Sequence, residues 1–94
     1  MRITFDPAKA KTNPGEHEGV TFDEATVAFL DQYMLTREDD DAKDEQRFVS
    51  LGRGAKGRVL VVIWTMHDHG DEVRLISAWK ANAQQRKRYE RQFV

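Results

Sequence analysis

Within "RLISAWKANAQQRKRYE", residues 74–90, the cations Arg74, Lys80 and Arg86 and the phenol of Tyr89 stand among apolar positions. Those residue types suit cleavage of a phosphodiester. Cations hold the phosphate and offset the charge that grows on it in a pentavalent transition state, while another group takes the proton of the 2′-OH and an acid serves the leaving oxygen. Period-two alternation over "RLISAWK" predicts Arg74, Ile76, Ala78 and Lys80 on one face of a strand and Leu75, Ser77 and Trp79 on the other. In the helix that follows, Arg86, Tyr89 and Phe93 recur at i, i+3 and i+7 and share a side. Arg74, Lys80, Arg86 and Tyr89 are therefore expected to converge near one strand end, with Arg58 able to join them. Taken alone, the same residues also describe a basic helix showing its charged side to water. His17, in "NPGEHEG", is either a general acid or base or an ordinary loop residue.

Other spacings carry less chemistry. "GRGAKGR" lies between two strands rather than between a strand and a helix, so it reads as a hairpin and not as a phosphate loop. "HDHGD" places two histidines at a turn, a poor closed site for a metal. "REDDDAKDEQ" lacks the glycine and terminal glutamate of a calcium loop and reads as a solvated loop; its acids, Glu38 to Glu45, are alternatively a contact for a basic partner. No metal or other cofactor is expected.

The elements that must position these residues follow from local signals. "RITF" alternates as a short strand, and Asp6 before Pro7 starts a short helix expected to end near Thr12, where "TNPG" stops it. In "VTFDEA", Thr21 and Glu24 form a capping box with Val20 and Ala25 as its hydrophobic staple, starting a helix over about residues 22–31. From Arg47 onward the pattern has period two: "RFVSL", "RVLVVIWTM" and "VRLISA", separated by turns, predict a three-strand antiparallel meander. Its middle strand is apolar on both faces and belongs at the sheet centre. A last helix runs from about Ala83 to Arg91. The expected fold class is α+β, one domain over residues 1–94, an antiparallel sheet with a late three-strand meander packed by two N-terminal helices and a C-terminal helix.

Bulk properties narrow the function. Ninety-four residues, 39% of them hydrophobic, form one core. There is no cysteine, hence neither a disulfide nor a thiolate metal site, and a cytoplasmic location is expected. No apolar run approaches the roughly 20 residues that cross a bilayer, and "MRITFDPAKAK" lacks the apolar centre of a signal peptide. The net charge of -1 conceals two opposite halves: residues 1–46 carry 5 basic and 12 acidic side chains (-7), and residues 47–94 carry 10 and 4 (+6). Either the fold keeps them apart and offers a basic face to a polyanion, or it interleaves them in the sheet.

Taken together, "FDPAKAKTN", "HEGVTFDEA", "EQRFVSLG", "GRVLVVIWT" and "VRLISAWKANAQQRKRYE" resemble, in this order, the BrnT family of ribonuclease toxins of type II toxin-antitoxin systems. The resemblance spans almost the whole chain. It implies a RelE-like fold, metal-independent endoribonuclease activity that arrests growth, and neutralisation by a BrnA-like ribbon-helix-helix antitoxin whose complex binds its own operator DNA. Arg74, Ser77, Ala78, Lys80, Ala81, Arg86, Tyr89 and Glu90 fit the family's closing pattern; Trp79 stands in place of an arginine, Asn82 of a threonine and Gln85 of a glutamate. Asn82 and Gln85 still make an N-cap with a side chain that reaches back. An amide transfers no proton near neutral pH, and an indole neutralises no phosphate although it stacks on a base. The leading expectation is an RNase with catalytic groups drawn from Arg74, Lys80, Tyr89 and His17 and an RNA surface of Arg58, Arg86 and Trp79. The alternative is a non-catalytic, decayed toxin that binds the antitoxin and tunes repression.

Overall fold

Local capping sets where the helices begin. In the computed structural model, which describes residues 1–94, Asp6 Oδ1 accepts the Ala8 N–H at 2.9 Å and Pro7 takes the first helical position, where a missing N–H is harmless. Helix α1 (Pro7–Glu16) then runs a turn beyond the expected stop at Thr12. Pro14 removes one backbone bond, but the buried Asn13 holds that turn to the rest of the molecule. Its amide donates to the carbonyls of Val20 at 2.8 Å and Ala78 at 2.9 Å. Helix α2 (Phe22–Thr26) starts on Thr21, whose hydroxyl accepts the Glu24 N–H at 2.9 Å, and tightens into a 3-10 turn over Val27–Leu30. The reciprocal half of the expected capping box is absent, because the Glu24 carboxylate turns inward to Arg58 instead. Val20 and Ala25, the staple, are both fully buried in one cluster.

Five strands form one sheet in the order β1-β5-β4-β3-β2. They are β1 (Arg2–Phe5), β2 (Leu35–Glu38), β3 (Arg47–Arg53), β4 (Val59–His67) and β5 (Glu72–Lys80). The meander of β3, β4 and β5 is as expected, but β2 extends it at the front, where Arg37 and Glu38 had marked the start of a loop. An edge strand with one open side tolerates such charges. Strand β1 pairs with β5 in parallel, so the sheet is mixed rather than antiparallel. Alternation in "RITF" identifies a strand and says nothing of its partner or direction. Because β1 and β2 from the acidic half pair with β5 and β3 from the basic half, the two halves interleave.

β4 has apolar residues on both faces because both are covered. One face sets Leu60, Val62 and Trp64 with Val73, Leu75 and Ala78 under Val20, Phe22, Ala25 and Ala28. The other sets Val59 and Val61 with Leu51 and Ala81 against Tyr89 from helix α3 (Ala83–Glu90). Each fully buried side chain of this size stabilises by about 1.5–3 kcal/mol.

One irregularity decides the site. The β4–β5 register shifts between Ile63 and Trp64: Ile63 faces Ser77, while Trp64 faces Leu75, leaving Ile76 as an extra residue. A bulge of this kind reverses the alternation beyond it. Leu75 and Ala78 therefore share the face under α1 and α2, and Arg74 joins Ser77 and Trp79 on the opposite face, not Lys80 as simple alternation predicts. No helix is long and apolar enough to cross a membrane.

Candidate active site

The cleft begins where α1 ends. His17 caps its C-terminus, donating its N–H to the Asn13 carbonyl at 2.9 Å, and Glu18 and Gly19, with φ of 54° and 81°, then reverse the chain. Strand β1 stops at Phe5 opposite Leu75, so beyond that point the edge of β5 is uncovered by a strand and His17 reaches it. There His17 Nε2 and Ser77 Oγ lie 3.3 Å apart; when the one serine proton goes to Asn13 Oδ1, the tautomer with its N–H at Nε2 is the donor and Nδ1 is left free. The His17 ring packs on Trp79 at 5.4 Å between centroids. Ser77 Oγ donates to Asn13 Oδ1 at 3.4 Å, so the residue that ties α1 to the sheet also orients the serine.

Glu16, His17, Glu18, Trp79 and Lys80 line a shallow cavity of about 310 Å³. Lys80 is its one cationic wall. The cavity thus combines an imidazole held by a hydroxyl, a flat ring and an ammonium with two carboxylates, Glu16 and Glu18; the imidazole and ammonium are the groups able to move a proton beside a phosphate. Arg74 lies six residues before Lys80 on β5, about 20 Å along an extended strand. The bulge places it on the same face as Ser77 and Trp79. Two members of this site, Ser77 and Asn13, carried no assigned role in the sequence reading, although both lie inside the family-like motifs.

The expected convergence of Arg74, Lys80, Arg86 and Tyr89 at one strand end does not occur. Tyr89 is fully buried in the second core, and its hydroxyl donates to Asp31 Oδ2 at 2.5 Å. Asp31 also accepts the N–H groups of Arg53 and Tyr33, both at 2.9 Å. Burial disfavours its charge, but these hydrogen bonds outweigh that and hold its carboxyl below the usual range. Burial and the Asp31 carboxylate together push the Tyr89 phenol up to about 12. Arg86 leans back on the Ala81 carbonyl at 3.4 Å. Arg58 closes on Glu24 through two bonds of 2.7 and 2.8 Å. Gln85 completes the capping box, its Oε1 accepting the Asn82 N–H at 2.8 Å while Asn82 Oδ1 accepts the Gln85 N–H at 2.8 Å. The two histidines of "HDHGD" sit at the β4–β5 turn, and no group of three His, Cys, Asp or Glu side chains assembles anywhere in the chain.

The Tyr89 shift gives an alkaline signature. The unfolded chain ionises this phenol near pH 10 and the folded chain only near 12, so its contribution to stability is complete below pH 10 and is lost as pH rises between those values. Urea midpoints measured from pH 9 to 12 are expected to fall more steeply for the wild type than for Tyr89→Phe. Parallel slopes would show that the phenol is not held neutral by the core.

The crystal structure of the Brucella abortus ribonuclease toxin BrnT is similar to this chain, with a TM-score of 0.63 and 23% identity over 87% of this chain and 97% of that one. At that identity the likeness establishes the fold: a small α+β domain of the kind found in that ribonuclease toxin. No curated protein matches the chain in sequence. The family profile described as ribonuclease toxin, BrnT, of type II toxin-antitoxin system matches residues 5–85. The chain belongs to the BrnT family, and membership implies an antitoxin as partner.

Proposed function

We propose that this chain is a metal-independent endoribonuclease whose catalytic centre is the cavity at the end of α1. The observation that carries the reading is His17 Nε2 at 3.3 Å from Ser77 Oγ in a cavity walled by Lys80. His17 takes the proton of the 2′-OH on Nδ1, the ring nitrogen not bonded to Ser77, and the freed oxygen attacks the adjacent phosphorus. Lys80 offsets the charge gathering on the phosphoryl oxygens and, as an ammonium, has a proton to give the departing 5′-oxygen. The products are a 2′,3′-cyclic phosphate and a free 5′-hydroxyl. Ser77 orients the imidazole, Trp79 offers part of its ring to a base, and Arg74 holds a phosphate further along β5. Arg58, Arg86 and Tyr89 are engaged elsewhere and have no part in this reading.

Family membership supports the rest. The chain acts as a RelE-like toxin in the cytoplasm, held by a BrnA-like ribbon-helix-helix antitoxin through which the complex reaches operator DNA. In EDTA, purified protein is expected to cut single-stranded RNA and leave 2′,3′-cyclic ends. Lys80→Ala is expected to lower the rate by roughly 10²-fold with an unchanged melting temperature. RNA left intact by a folded wild-type protein that still binds its antitoxin would instead favour the non-catalytic alternative, to which Trp79 in an arginine position points.

A further inference from the structure

On the sheet face carrying α3, a second and larger groove of about 480 Å³ opens between that helix and strands β2 and β3. Its floor is aliphatic. Leu35 pairs with Leu51 and Arg37 with Val49, and cross-strand partners share a face, so Leu35, Val49 and Leu51 together face the groove. Its rim is cationic: Arg37 from β2, with Arg88 and Arg91 from the end of α3 and the turn after it. None of the three pairs with a carboxylate, and no acidic residue lines the groove. Beside it lies an apolar patch in which the exposed rings of Tyr33 and Phe93 meet at 4.9 Å. Gln92 ties the two parts together by donating to the Tyr33 carbonyl at 2.8 Å.

We infer that this groove is the docking site of the antitoxin, and that its occupant is an acidic amphipathic segment laying leucine-like side chains on Leu35, Val49 and Leu51 with carboxylates against Arg37, Arg88 and Arg91. Two features select a peptide over a nucleic acid. Single strands are held by aromatic faces on which bases stack; no aromatic residue lines this groove, and the adjoining Tyr33 and Phe93 pack edge to face on each other. An aliphatic floor with a charged rim and an adjoining exposed apolar patch is instead what a protein segment covers. Asn82, at one end of the groove, is two residues beyond Lys80, but the groove lies over β2 and β3 and shares no lining residue with the proposed catalytic cavity at the edge of β5. Like charges introduced at the rim repel such a partner without touching His17, Ser77 or Lys80.

The inference rests on the family assignment for the existence of the partner, and its test separates the two. The full chain is co-expressed with the antitoxin of its operon, the complex is purified, and affinity for antitoxin and for single-stranded RNA is measured on separated components. Arg88→Glu with Arg91→Glu is expected to weaken antitoxin binding by about 100-fold and to flatten its salt dependence, with RNA cleavage by the free chain within twofold of wild type. Both arginines are exposed, so the fold is retained; Arg37→Glu, on a different element, is expected to act in the same direction. Antitoxin affinity within threefold of wild type in all these variants overturns the inference. So does loss of RNA affinity with antitoxin affinity kept, which would assign the groove to RNA. A wild-type chain that cuts no RNA, yet binds antitoxin in an Arg88- and Arg91-dependent way, refutes the nuclease reading and leaves the docking site standing.

Discussion

Replacing His17 with alanine is expected to lower the rate of RNA cleavage by roughly 10²- to 10⁴-fold, the range a positioned general base contributes. The fold should survive the change, because His17 is only half-buried and its side-chain contacts are one 3.3 Å hydrogen bond and one ring contact at the molecular edge. His17→Gln is the sharper variant, since an amide still reaches Ser77 but carries no proton across. It should be as slow as the alanine form. Ser77→Ala tests orientation separately: loss of the hydroxyl leaves the imidazole in place but freer to rotate, and about a tenfold loss in kcat with little change in KM is expected. These values are read by gel assay on one defined single-stranded RNA. Cleavage by His17→Ala at the wild-type rate would remove the cavity from consideration as the catalytic centre.

The largest expected effect on stability belongs to Arg58. The side chain of Glu24 is 2% exposed and that of Arg58 29%, and the pair is joined twice, through Arg58 Nε and Nη2. The hydrogen bond from Arg58 holds the Glu24 carboxyl below its usual range, overcoming the burial that raises it. Arg58→Ala strands a buried carboxylate whose stem lies against Gly54. Removing one partner of a buried pair typically costs 3–5 kcal/mol, and the partial exposure of Arg58 puts the expectation near the lower end, about 3 kcal/mol by urea unfolding. Adding Glu24→Gln should recover more than half of that loss. The folded pKa of Glu24 is depressed, so the pair's contribution is present above the ordinary carboxylate range and is lost as pH falls through the folded value; variants without Glu24 should show a flatter acid limb. An Arg58→Ala protein with an unchanged midpoint and a large loss of RNA affinity would return Arg58 to the phosphate.

Gly54 belongs to the same assembly. A Cβ there would lie 2.7 Å from Leu60 Cδ1 and 2.8 Å from the Glu24 carbonyl oxygen, which accepts the Ala55 N–H at 3.1 Å. The sequence shows "GRGAKG" as a hairpin, and it is one. That its first turn glycine is needed for close approach to α2 is visible only once the hairpin and helix are packed together.

How much was legible differs from residue to residue for physical reasons. The N-caps Asp6, Thr21 and Asn82 were readable because a cap and its target lie two or three residues apart. The apolar stripe of β4 was readable because an element covered on both sides has no polar face. Helix α1 ran past its expected end because Asn13 is bonded to Ala78, 65 residues away. β2 was missed because an edge strand keeps charged residues that a central strand would reject.

By itself the sequence determined the α+β class, the three helices, the meander, the apolar interior and the family-like motifs, since these follow from propensity, period and spacing within a few neighbours. Only the tertiary structure decided which of the suspected groups meet. The bulge at Ile76 turned Arg74 to the side of Trp79, the ion pair took Arg58 into the fold, and the core took Tyr89. His17, the loop residue whose role the local reading left open, was brought to Ser77 across 60 residues of chain. Contacts of that separation depend on strand register and sheet order, which the chain sets collectively and no local window contains.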